Sequence, residues 1–144
     1  MLQRIQTVWL LLAMGCAVML FYVPVWEAAS PSPAGPLSQL GAGVHFKLLG
    51  FPLMLFITHT VATWSFRNRR RQLRWCNINI LLFLLFLFSA FFILETEQHA
   101  LADLHFSELK LGFYLPLLGI VFNLLARRGI RSDEAFFRRL QRRQ

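Results

Sequence analysis

Charged residues are confined to a few short stretches of this chain, and the apolar runs between them define its elements. Four such runs, at about 8–26, 48–66, 75–94 and 111–126, are almost free of charge. A helix of roughly 20 apolar residues crosses the hydrocarbon core of a bilayer and satisfies its own backbone hydrogen bonds there. The pattern therefore predicts an all-α integral membrane protein. A four-helix transmembrane bundle occupies 1–126, and a basic cytoplasmic amphipathic helix follows over 127–144. The run at 111–126 is the shortest. Its helix covers roughly 24 Å, so it stands nearly upright or uses Leu109 and Lys110 to reach the headgroups.

Small and polar residues within the runs mark the faces that look inward. Ala13, Cys16 and Ala17 form a small-residue face that admits a neighbouring helix closely. Pro52, His59 and Thr63 share one side of the second run, and Gly112, Pro116, Gly119 and Asn123 share one side of the fourth. Pro52 is expected to kink its helix, which neighbours in a membrane tolerate. The third run is apolar nearly all round and presents much of its surface to lipid or to another protein. Tyr22 and Trp26 close the first run as an interfacial aromatic pair. A cleavable signal sequence is the competing reading of that run, because Ala28, Ala29 and Ser30 follow it. Its apolar stretch exceeds the roughly 7 to 15 residues of a signal core.

The connectors differ sharply in charge. Residues 27–45 are rich in proline, serine and glycine and read as an extended connector, with Lys47 at the start of the next span. The segment 95–110 is acidic, and its stretch 100–106 is expected to form a short amphipathic turn. Between the second and third runs, Arg67, Arg69, Arg70, Arg71 and Arg74 form a basic linker. The tail adds seven arginines, and Ser132 before Asp133 and Glu134 reads as a new helix start with a capping hydroxyl. In that helix Phe136, Phe137 and Leu140 face one way, and Arg138, Arg139, Arg142 and Arg143 the other.

Charge sets the orientation. Of the fifteen lysines and arginines, thirteen fall on the side shared by the amino terminus, the linker and the tail. The positive-inside rule places that side, and both termini, in the cytoplasm. Fifteen phenylalanines and a hydrophobic content of 56% agree with lipid as the solvent. The net charge of +8 suits anionic headgroups, each juxtamembrane arginine contributing about 1 kcal/mol. The basic face to test comprises Arg67, Arg69, Arg70, Arg71, Arg74, Arg127, Arg128, Arg131, Arg138 and Arg139. No aromatic-basic recognition module accompanies it, so nucleic acid is not the expected partner. Cys16 and Cys76 lie at depths roughly 15 Å apart, beyond disulfide reach.

Candidate chemistry is sparse. His59 is the one ionisable residue placed within a span, and Thr63, Asn79 and Asn123 fall at a similar depth, with Thr58 and Thr60 nearby. This layer is either a polar-ligand or proton site, or interhelical hydrogen-bond glue worth about 0.6 kcal/mol per contact. The spans hold no second inward histidine for a haem. Glu95, Glu97, His99, Asp103 and His105 are possible metal ligands, but their spacing matches no closed motif. No nucleophile sits beside a base, and no phosphate-binding glycine loop is present, so neither catalysis nor a cofactor is expected.

The opening Met1-Leu2-Gln3-Arg4-Ile5-Gln6-Thr7 resembles the start of a domain-of-unknown-function family of small four-span bacterial inner-membrane proteins. The stretch Leu125-Ala126-Arg127-Arg128-Gly129-Ile130-Arg131-Ser132-Asp133-Glu134 is similar to that family's basic region after the last span. The last ten residues depart from the family's ending. The resemblance implies a bacterial inner membrane and four spans, with no activity to carry over. Abundant contact surface and little chemistry point to an accessory or scaffold subunit with a protein partner in a larger membrane complex. The alternative is a small-molecule or ion carrier using the His59 layer, although four spans without repeats or paired broken helices form a weak transporter.

Overall fold

The computed structural model describes residues 2–27, 39–43, 46–65, 68–98 and 109–141, with the side chains of 2–4, 39, 97–98 and 133–141 outside the description. Four helices dominate: α1 (Leu2–Met19), α2 (Phe46–Trp64), α3 (Arg69–Ile93) and α4 (Leu111–Gln141). A π-helical turn, Leu94–Gln98, prolongs α3. Two very short strands, β1 (Trp26–Glu27) and β2 (Gln39–Leu40), pair antiparallel. Three helical stretches, Phe46–Trp64, Arg69–Thr96 and Leu111–Ser132, are long and apolar enough to cross a membrane, whereas the apolar part of α1, Ile5–Met19, is shorter. Each helix packs most extensively on two others, in the order α1, α2, α3, α4 and back to α1.

One spacing explains this packing. The inward positions of every helix alternate steps of four and three: Gln6, Leu10, Ala13, Ala17 and Leu20 at the α1 side; Leu48, Pro52, Leu55, His59 and Ala62 on α2; Gln72, Cys76, Asn79, Phe83, Phe86, Ala90 and Ile93 on α3; Gly112, Pro116, Gly119, Asn123, Ala126 and Ile130 on α4. A repeat of 3.5 residues keeps one seam directed at the neighbours as helices wind around each other. The small-residue face of α1 and the glycine face of α4 lie on these seams, as their sequence predicts. Cys16 and Cys76 are free thiols in separate apolar clusters.

The first run departs from expectation: it is not helical to residue 26. Proline at 24 disfavours helix at the residue before it. The last turn tightens, with Tyr22 N–H donating to the Met19 carbonyl at 3.0 Å, and the chain then extends. Val25 and its neighbours bond on both edges. Val25 N–H donates to the Leu40 carbonyl at 2.7 Å, and the Val25 and Pro24 carbonyls accept from Lys110 and Gly112 at 3.0 and 3.1 Å. Trp26 also bridges to Leu109. These segments form a small extended cap on an otherwise helical chain, a detail that the all-α expectation did not include. Trp26 is buried within it, not placed in an aromatic belt, while Tyr22 is exposed. Gly112 is required here, because a Cβ would overlap the Pro24 carbonyl.

The connector expected at 27–45 is part of the core at its far end, where Leu40 and Ala42 are buried. Its centre lies outside the described residues. Glu27 and Lys110 pair across the cap at 3.2 Å, both partly exposed. Pairs of this kind contribute little. Lys110→Met is expected to change thermal unfolding in detergent by less than about 1 kcal/mol.

Two boundaries at the arginine end also differ. Arg69, Arg70, Arg71 and Arg74 belong to the first turns of α3, not to a linker. Asn68 caps that helix, its side chain accepting from Arg71 N–H at 3.2 Å. Cations there oppose the helix dipole, a term of about 0.3–1 kcal/mol each that the buried positions starting at Gln72 outweigh. The tail does not restart at Ser132. α4 continues through it for 31 residues, roughly 46 Å. Gly129 does not interrupt it, since its bare backbone seats Gln6: a Cβ would lie 2.9 Å from that side chain's Cγ.

Candidate functional site

The buried layer is built on α2, α3 and α4, where His59, Asn79 and Asn123 are all fully enclosed. Its protonation pattern follows from obligatory acceptors. The Leu55 carbonyl lies 2.8 Å from His59 Nδ1, and a carbonyl only accepts, so Nδ1 carries the hydrogen. In the neutral ring Nε2 is then an acceptor. The Gly119 carbonyl fixes Asn123 in the same way: its Nδ2 donates there at 2.8 Å and gives its second hydrogen to His59 Nε2 at 3.2 Å. Both ring nitrogens are thus satisfied within the protein, and α2 is tied to α4.

Phe83 covers the pair from α3. Its ring meets the His59 imidazole edge-on at a centroid distance of 5.8 Å and lies against Gly119, where a Cβ would collide with it. One turn nearer the arginine end from Phe83 and Gly119 stand Asn79 and Asn123, and one further turn brings Cys76 and Ala126 into a shared apolar cluster with Leu10 and Ile130. The register therefore sets Asn79 level with Asn123. Neither polar atom of the Asn79 side chain has a hydrogen-bond partner among the described residues, nor does Asn123 Oδ1.

Of the predicted residues, His59 and Asn123 meet directly, and Asn79 shares their depth. Thr63 stands one turn from His59, its buried hydroxyl without a partner among the described residues, and it lines a hollow toward α1. Thr58 and Thr60 bond back to the Met54 and Phe56 carbonyls, each at 2.8 Å, and do not join the layer. Sequence reasoning missed Phe83, Gln6 and Gln72. Both glutamines are buried, and Gln72 was legible as the first step of the α3 spacing.

The basic residues converge. Leu73 and Cys76 pack with Ala126 and Ile130, which brings Arg71 and Arg74 of α3 to the same end as Arg127, Arg128 and Arg131 of α4. Arg69 and Arg127 are half-buried, and Arg70, Arg71, Arg74, Arg128 and Arg131 are exposed. Arg67 and the side chains of Arg138 and Arg139 lie outside the described residues. So do His99, Asp103 and His105 of the possible metal set, together with the turn expected at 100–106. Among the described residues no group of three metal-ligating side chains occurs.

The model of a family described as a domain of unknown function, DUF4293, matches residues 2–142. The chain belongs to this family. The match runs through both ends that carry the sequence resemblance, including nearly all of the divergent tail. No curated protein and no solved structure matches the chain. The DUF4293 description assigns no activity, so the roles of His59, Asn79 and Asn123 rest on their geometry.

Proposed function

We propose that this DUF4293 protein is a multi-pass protein of the bacterial inner membrane with both termini in the cytoplasm. It acts without catalysis of its own, as an accessory or scaffold subunit of a larger membrane complex. The observation that supports this reading is a second seam on α3. Ile78, Leu81, Leu85, Phe88 and Phe92 repeat the alternation of threes and fours found on the buried face, yet all five are exposed. Lipid contact requires only that such residues be apolar. Spacing of 3.5 residues additionally suits the knobs of a further helix. The arginine end supplies the orientation and a foothold on anionic headgroups.

Native membranes extracted directly into lipid nanodiscs are expected to yield the chain in a stoichiometric complex. Leu81→Ala with Phe88→Ala should disperse that complex and leave the isolated chain folded. A wild-type chain recovered alone and monomeric overturns the proposal.

The carrier reading draws on one observation, the unpartnered Asn79 amide. It requires His59→Ala to abolish transport at unchanged expression, and a wild-type phenotype of that variant excludes it. The closed bonding of His59 favours the subunit role.

A further inference from the structure

Two neighbouring hollows flank Thr60 and Trp64 at the arginine end of α2. The first, about 360 Å³, lies between the helices and is walled by Leu11, Met14 and Trp64, with Thr7, Thr60 and Thr63 along it. The second, about 400 Å³, shares Thr60 and Trp64 with the first and continues to Ser65, Asn68 and Arg71. An apolar slot and a cationic, hydrogen-bonding hollow thus stand on the two flanks of Trp64.

We propose that the two hollows together hold one anionic diacyl phospholipid laid across Trp64, an acyl chain lying between α1 and α2 and the phosphate meeting Arg71. The chemistry changes from one hollow to the other in the order that a phospholipid requires. Leu11 and Met14 offer apolar walls to the chain. In the second hollow the Arg71 guanidinium is exposed. Asn68 uses Oδ1 as the α3 cap, which leaves its Nδ2 as the donor toward a phosphate. Trp64 stands at the junction, 81% exposed, where an amphipathic ring suits the interface between acyl chain and headgroup. A polar occupant without an acyl chain matches only one half of this surface, a zwitterionic lipid brings its own cation to the Arg71 end, and a partner helix leaves Arg71 without its counter-charge.

This site rests on the membrane reading above, so resistance of the full chain to alkaline extraction from membranes is measured first; a chain that is released overturns that reading. The embedded chain is then placed in nanodiscs of equal phosphatidylglycerol and phosphatidylcholine, partly delipidated, and weighed by native mass spectrometry. One phosphatidylglycerol is expected to remain per chain. Arg71→Gln should lower its retention about fivefold, and Leu11→Trp, which fills the slot, should remove it while circular dichroism stays helical. Lys47→Gln, which removes an exposed cation at the opposite end of α2, should leave retention unchanged. Equal retention of phosphatidylcholine overturns the site in an embedded chain. So does a Lys47→Gln effect as large as that of Arg71→Gln, or lipid still held by Leu11→Trp.

Discussion

Gly119→Val is expected to destabilise the chain by about 1–3 kcal/mol, the cost of overfilling a packed core. The Cβ at this position has no space, because the fully buried Phe83 ring already occupies it. The ring has nowhere to go: His59 meets its other side, and Asn123, one turn along α4, holds His59 in place. Moving Phe83 therefore loosens the hydrogen bond that joins α2 to α4 as well as the α3 contact. Gly50→Val provides the contrast. Nothing stands within 4 Å of a Cβ there, and valine is a better helix former than glycine. Its effect should be neutral or slightly stabilising. Thermal unfolding of both variants in one detergent separates packing from helix propensity, and equal shifts contradict the close fit around Gly119.

The second large effect has an unusual sign. Asn79→Leu is expected to stabilise the chain by about 1–3 kcal/mol, because both polar atoms of this enclosed amide lack partners among the described residues and a leucine of similar size removes that penalty. His59→Leu should act in the opposite direction. It strips the Asn123 amide of one acceptor and the Leu55 carbonyl of one donor. Joining it to Asn123→Val should cost less than the two single changes added together, by about 0.6–1.7 kcal/mol, the range found for hydrogen bonds between membrane helices. Strict additivity would mean that the two side chains do not interact. If Asn79→Leu destabilises, Asn79 has a partner in the membrane, and the carrier reading gains the ligand site it needs.

Hydropathy made the second and fourth helices legible because Pro52, His59 and Thr63, and likewise Gly112, Pro116, Gly119 and Asn123, stand out against apolar neighbours. The seam of α3 was harder to see, since leucine and phenylalanine occupy its outside as densely as its inside. Its polar members, Gln72 and Asn79, were the usable clue. Gln72 lies among arginines, where charge density draws the eye away from spacing. The end of α1 was hidden for another reason: apolar residues suit an extended segment as well as a helix, and what keeps 23–27 extended comes from residues 40 and 109–112, far along the chain. At Ser132 a local preference lost. A capping side chain contributes about 1 kcal/mol, too little to stop a helix already running in strong formers. Which amide is satisfied and which is orphaned depends on side-chain direction, and no spacing encodes it.

The extended cap has a dynamic consequence. Its central segment follows α1 and is hydrogen-bonded to the connections before α2 and before α4, so both helical hairpins are clamped at one end of the ring. At the arginine end, only the short turn from α2 to α3 joins neighbouring helices through the chain. Any spreading of the helices then behaves like the opening of tongs, small near the pivot and widest at the arginines. The interhelical hollow between α1 and α2 lies on that wide side, where width can be adjusted without breaking a backbone hydrogen bond.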